Sequence, residues 1–147
     1  AVSKVNAFKP QELANTAWAF STAGVAAPSL FEAIARAAVP KIGSFEPQHL
    51  AITAWAFSKS GIVAPVLFEA IAFAAASKIG TFKPQELANT VWAYSTAGIE
   101  APALFGAIAD AAAPKIDAFN PLDLANTAWS YSTAGIAAPS LFEAIAR

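Results

Sequence analysis

The chain has 147 residues with no cysteine and one histidine, and its 9 basic and 10 acidic side chains leave a formal net charge of −1. The absence of cysteine excludes disulfides, thiolate metal sites and cysteine nucleophiles. A chain this close to neutral also lacks the strong positive charge that is typical of nucleic-acid-binding domains. Although 56% of the residues are hydrophobic, glycine, proline and polar residues interrupt each long apolar run, so we expect buried helix faces and no membrane span.

One phrase recurs four times along the chain. It begins as FKPQELANTAWAFSTAG at Phe8 and returns at Phe45, Phe82 and Phe119, each time after 37 residues. A fixed period of this length is typical of stacked helical repeats. We therefore predict an all-α fold, an α-solenoid of stacked antiparallel helix pairs, with residues 1–147 forming one array. Because the chain does not begin with Met, we expect it to be a segment of a longer protein, with further repeats or partner subunits at both ends.

Each unit is predicted to contain two helices. The motif helix begins at a proline, which costs nothing at the first helical position, and ends before a glycine that can adopt the left-handed conformation. The four predicted motif helices cover residues 10–23, 47–60, 84–97 and 121–134. A second helix follows each one, starting at Pro28 and its equivalents. We expect Pro40 and Pro114 to end or kink this second helix, because a proline ring clashes with the preceding helical turn.

A narrow stripe of mostly polar side chains is predicted on the surface of each motif helix, beside the tryptophan. It differs from unit to unit, and variation at one surface position per unit is how some helical-repeat proteins assign one base to each repeat. The alternative is drift on a solvated face, since Ile52 and Leu122 replace the amides found elsewhere. The stripe residues are Gln11, Asn15, Thr22, Gln48, Ile52, Lys59, Gln85, Asn89, Thr96, Leu122, Asn126 and Thr133.

The tryptophan of each unit is predicted to fill the gap between stacked helix pairs, with a stacking platform for a base as the alternative. These residues are Trp18, Trp55, Trp92 and Trp129. Phe73 differs from its equivalents, because it stands where unit one has Arg36, on the polar face of the second helix. This substitution indicates an exposed contact patch.

One lysine stands near the end of each second helix, and we call these lysines together the lysine ladder. A lysine there complements the negative end of the helix dipole, and the alternative is a track of phosphate contacts along a nucleic acid. The ladder consists of Lys4, Lys41, Lys78 and Lys115.

No catalytic constellation is visible in the sequence. His49 is the one histidine, no serine stands at a motif-defined distance from it, and no glycine-rich phosphate loop is present. We therefore predict a protein without enzymatic activity, metal site or cofactor.

The phrase PQELANTAWA closely resembles the octotricopeptide repeat, a paired-helix motif of nucleus-encoded organellar proteins in algae. The resemblance covers all four units. Its departures are a period one residue shorter than the nominal repeat, Ile52 in place of the asparagine and Leu122 in place of the glutamine. The matching residues in the first unit are Pro10, Gln11, Leu13, Ala14, Asn15, Trp18 and Ala19.

The resemblance implies a non-catalytic module that binds single-stranded RNA in a plastid or mitochondrion. The competing hypothesis is a structural, protein-binding scaffold subunit of a large organellar complex, such as a ribosome or photosystem, because the units are alanine-rich, nearly neutral and close copies of one another. The surface potential of the concave face distinguishes the two. A continuous positive groove would favour RNA, and a neutral apolar groove would favour protein.

Overall fold

In a computed structural model, the backbone of residues 2–147 and the side chains of residues 3–147 are described; the first residue of the predicted array lies outside this part. Over the described residues the chain forms eight α-helices and four 3-10 helices, with no β-strand. The all-α prediction is therefore confirmed. The α-helices are α1 (Pro10–Ala23), α2 (Pro28–Ala38), α3 (Pro47–Lys59), α4 (Pro65–Lys78), α5 (Pro84–Ala97), α6 (Pro102–Ala112), α7 (Pro121–Ala134) and α8 (Pro139–Ala146).

The odd-numbered helices α1, α3, α5 and α7 are the predicted motif helices. Each begins at its proline, and their bounds agree with the predicted ranges except that α3 ends one residue early, at Lys59. A glycine with a φ of +69° follows each of them, at Gly24, Gly61, Gly98 and Gly135. Because glycine adopts this left-handed conformation at little cost, these residues end the motif helices as predicted.

Two of the second helices end shortly before a proline. Helices α2 and α6 stop two residues before Pro40 and Pro114 respectively and continue as 3-10 helices. Helix α4, which has Ser77 in the equivalent position, stays α-helical to Lys78. The prediction that proline ends these helices is confirmed, and the clash of its ring with the preceding turn is the physical reason.

The first turn of the motif helix bonds back to the chain that enters it. Oε1 of Glu86 accepts a hydrogen bond from the backbone N–H of Lys83 at 2.8 Å. In α3, His49 makes the equivalent contact. Its Nδ1 accepts a hydrogen bond from the backbone N–H of Glu46 at 3.2 Å. These contacts satisfy donors that a helix N-terminus leaves unpaired. The one histidine of the chain therefore has a structural role at a helix start.

Aromatic rings join each second helix to the motif helix of the next unit. Three such T-shaped pairs recur, and their rings lie in the buried core. In the second pair, burial raises the pKa of Tyr94 above its ordinary value, so the hydroxyl stays protonated and donates to the carbonyl oxygen of Phe68. The pairs are Phe31–Phe57, Phe68–Tyr94 and Phe105–Tyr131, with ring centroids 4.9, 4.9 and 5.1 Å apart.

The helices form two layers. The motif helices contact one another in succession, each packing closely on the next, and make up the motif layer. The second helices α2, α4, α6 and α8 make up the second layer, in which they follow one another with fewer direct contacts, and the 3-10 helices pack between them. Every unit therefore touches its sequence neighbours, and most of that contact lies in the motif layer.

The lysine at the end of a second helix binds the chain that enters the motif helix of its own unit. Nζ of Lys78 donates to the carbonyl oxygens of Gly43 and Phe45 at 3.0 and 2.6 Å. Lys41 and Lys115 repeat this pattern on carbonyls 35 and 33 residues earlier in the chain. Neither the helix-dipole nor the phosphate interpretation of the ladder anticipated these bonds. Lys4, which is exposed, makes no such bond within the described residues.

We expect Lys78→Met to lower the free energy of unfolding by about 1.5–3 kcal/mol, because it removes a charged donor from two carbonyl oxygens. Lys4→Met is the matched control, since it changes the same register position without breaking such a bond, and should cost less than about 0.5 kcal/mol. Chemical denaturation followed by circular dichroism measures both. Equal, small losses for the two variants would show that the carbonyl contacts contribute nothing to stability.

Candidate functional site

The predicted stripe lies on the outer surface of the motif layer. All twelve of its residues are exposed or half-buried. A trough of about 370 Å³ runs across this surface, and Trp18 from α1 and Trp55 from α3 line it. The structure thus brings half of the predicted stripe into one place. The stripe residues at the trough are Gln48, Ile52, Gln85, Asn89, Leu122 and Asn126.

The other stripe residues lie outside the trough. Gln11 and Asn15 are exposed on α1, the terminal helix of the motif layer. The remaining four are exposed near the C-terminal ends of the motif helices, and they are Thr22, Lys59, Thr96 and Thr133. We use the term groove face for the surface formed by the twelve stripe residues and the four tryptophans.

The prediction that tryptophan fills the core between units is wrong for the outer pair. Trp18 and Trp129 are 46% and 47% exposed, whereas Trp55 and Trp92 are half-buried and pack against the core. The physical reason is the number of motif helices that pack on each tryptophan's own helix. In the part of the chain that the structure describes, α3 and α5 each pack closely on two other motif helices, whereas α1 and α7 each pack closely on one.

The two inner tryptophans pack against each other. The ring centroids of Trp55 and Trp92 are 6.3 Å apart, with the ring planes inclined by 34°. This separation is within the range of about 4.5–7 Å at which aromatic rings interact, so the two indoles are partners of each other. Nζ of Lys59 lies 5.5 Å from the centroid of the Trp55 ring, within the range of a cation–π contact.

The trough carries little charge. Glu86 is the one charged residue that lines it, and its carboxylate already accepts the Lys83 N–H. The nearby Lys59 lies over Trp55, while three of the four ladder lysines are bound to carbonyls at the start of their own unit. The trough is therefore lined mainly by indole rings, side-chain amides and apolar side chains, without the positive track that single-stranded nucleic acid requires.

Amides and indoles on a neutral surface are suited to a peptide. A side-chain amide offers both a donor and an acceptor, as a peptide group does. Exposed tryptophan is enriched among the residues that contribute most binding energy at protein interfaces.

Among the described side chains, no group of acidic residues and histidine is arranged to hold a metal ion. In the same part of the chain, no helix has the length and apolarity that crossing a membrane requires.

The fold and this surface define an all-helical protein of paired helices with one extended aromatic and amide face. Residues 1–147 match the sequence model of the RNA-editing substrate-binding complex 6 protein (RESC6) family. The chain belongs to this family, which is helical and RNA-associated. No curated protein matches the sequence.

Trp92→Ala should destabilise the chain by about 3 kcal/mol, because this ring packs against both Trp55 and the core. Trp18→Ala changes the same register position where the ring is half exposed, and we expect no more than about half of that loss. Denaturant unfolding of both variants provides the comparison. An equal loss for the two would mean that the difference in exposure of the two rings does not exist in solution.

Proposed function

We propose that this chain is a non-catalytic, helical-repeat scaffold subunit of an RNA-associated organellar complex, and that its groove face holds a segment of a partner protein. The observation that carries the proposal is the neutral groove of indoles and amides in a member of the RESC6 family. We place the complex in a plastid or mitochondrion. The support for this is the resemblance to organellar repeat proteins.

The proposal includes an α-solenoid of antiparallel helix pairs with a 37-residue repeat. The contacts within each layer support it, because successive motif helices pack more closely than successive second helices. In an array of this kind the layer with the closer helices lies on the inside of the curve, and such concave surfaces are the binding surfaces of repeat proteins. On this proposal the groove face is concave, and it can hold an extended segment along several units.

Charge favours protein over RNA as the occupant of the groove face. A single-stranded RNA site combines stacking rings with cations that follow the backbone. Here Lys59 is the one stripe residue with a positive charge, and Leu122 exposes 66% of its surface at a position that a base reader would fill with an amide. A peptide has no phosphate groups to neutralise, so the lack of positive charge in the groove does not weaken its binding.

Direct binding of single-stranded RNA is the second candidate function. The half-exposed Trp18 lies at the same trough as Asn89 and Asn126, and this combination allows stacking and hydrogen bonds to a base. The octotricopeptide resemblance and the RNA-associated family support the same candidate. The two functions differ in their dependence on salt, and the salt slope separates them.

We expect single-stranded RNA to bind the isolated chain weakly, with a slope of log affinity against log salt no steeper than about −0.7. One phosphate contact, through Lys59, gives a slope of that size, and four contacts would give about −3. Fluorescence anisotropy with a labelled 20-nucleotide RNA of mixed sequence, at several salt concentrations, measures the slope, and Lys59→Gln should remove it. A slope near −3 would establish the RNA function in place of the scaffold.

The scaffold function is tested with the full-length protein, tagged and purified from its own organism. We expect its partner subunits to remain bound after RNase treatment and to be depleted by the double variant Gln85→Leu and Asn89→Ile. These substitutions copy Leu122 and Ile52 of the other units, so the fold should tolerate them.

Ser29→Ala is the control for that purification, because it lies on an exposed position of the second layer and copies Ala103. It should leave the complex intact. Loss of every partner after RNase, with no effect of the double variant, would contradict the proposal.

A further inference from the structure

Three large apolar side chains are strongly exposed together on the second layer of unit two. Val63, Val66 and Phe73 expose 81%, 68% and 82% of their surface, and we call them the α4 patch. Val66 and Phe73 are seven residues apart on α4 and share one helix face. The equivalent positions of the other units hold small, polar or charged residues, namely Ala26, Ser29, Arg36, Glu100, Ala103, Asp110, Ala137, Ser140 and Arg147.

Because Phe73 stands in place of the arginine of unit one, the carboxylate of Glu69 has no arginine four residues later to pair with. In α2, Arg36 lies 3.9 Å from Glu32, four residues earlier, and α8 repeats this pair at 3.2 Å. In α4 the arginine position is occupied by Phe73, and Glu69 makes no ion pair with any side chain that the structure describes. Unit two therefore exposes an aromatic ring and an uncompensated acid side by side.

A groove of about 510 Å³ adjoins the α4 patch. It lies between α4 and α6, and Phe73 and Leu104 are among the apolar residues that line it. The charged residues of its lining are Glu69 and Glu100, both exposed, and it has no basic residue. Glu100 is specific to this place, because the equivalent residues in the first and last units are alanine. The groove is therefore apolar with an acidic rim.

We propose that the α4 patch and this groove dock a basic amphipathic helix of a partner protein. Its apolar face covers Phe73 and Val66, and its lysine or arginine side chains pair with Glu69 and Glu100. An amphipathic helix lies in an apolar groove through side chains spaced three, four and seven residues apart, and opposite charges at the rim fix its orientation. The site is on the layer opposite the groove face, so it does not depend on what occupies that face.

Other occupants fit the charges less well. A second copy of the chain, related by two-fold symmetry, would present the same acidic rim from both sides of the interface, and like charges across an interface are unfavourable. Nucleic acid and anionic lipid are repelled by the same acidic rim. A partner with an apolar face and positive charges can cover the exposed ring of Phe73 and pair with Glu69 and Glu100 at the same time.

The test uses two synthetic helical peptides of about 18 residues with the same apolar face, one flanked by lysine and the other by glutamate. Fluorescence anisotropy should show that the lysine peptide binds the chain at least ten-fold more tightly than the glutamate peptide. The double variant Val66→Ser and Phe73→Arg should weaken the lysine peptide at least ten-fold. Both substitutions copy unit one, so circular dichroism should show an unchanged fold.

Two further variants make the test specific. Glu69→Gln should reduce the preference for the lysine peptide, and Leu122→Gln, on the groove face, should leave binding unchanged. Equal affinity for the two peptides, no measurable binding of either, or equal affinity of the double variant would overturn the proposal. A dimer in light scattering that Phe73→Arg abolishes would also overturn it, in favour of a second copy of the chain.

Discussion

The close approach of successive motif helices is the constraint on which the rest of this structure depends. Buried alanines such as Ala14 and Ala51 keep the buried side chains of these helices small, and the other contacts of the fold are arranged around this layer. The tryptophans lie on the groove face, where Trp55 and Trp92 are half-buried and Trp18 and Trp129 are exposed. Successive second helices make less direct contact, with 3-10 helices packed between them, and aromatic pairs join a second helix to the next motif helix. The end of each second helix comes near the chain that enters the motif helix of its own unit, and Lys41, Lys78 and Lys115 bond to the carbonyls there.

The helices were predictable because their start and stop signals are local. Proline at the first position and glycine after the last fixed the motif helices to within one residue, and Pro40 and Pro114 shortened the second helices as expected. The surface position of the stripe also followed from helical periodicity. The exposure of Trp18 and the lysine bonds could not be predicted in this way, because they depend on contacts between residues far apart in the sequence. Lys78 bonds to carbonyls 35 and 33 residues away, which no helical wheel represents.

The positions that repeat and the positions that vary have different roles. Repeated residues such as Leu13 and its equivalents, the buried alanines and the aromatic pairs build the contacts within and between units. Varied residues lie on the two surfaces. Ile52 and Leu122 make the groove face less polar at two units, while Phe73 and Glu100 change the second layer at one place. In this account the near-identity of the units supplies the frame, and a few unit-specific substitutions determine what binds to it.

Tryptophan fluorescence tests the central claim most directly, because all four tryptophans of the chain stand at the same register position of the motif helices, on the groove face. Their emission therefore reports on the occupancy of that face. The account predicts that a saturating concentration of single-stranded RNA leaves the emission unchanged at physiological salt, whereas the partner subunits that survive RNase treatment shift it. Saturable quenching by RNA, with the stacking of bases on the exposed indoles as its cause, would contradict the claim that the groove face is a protein-binding surface.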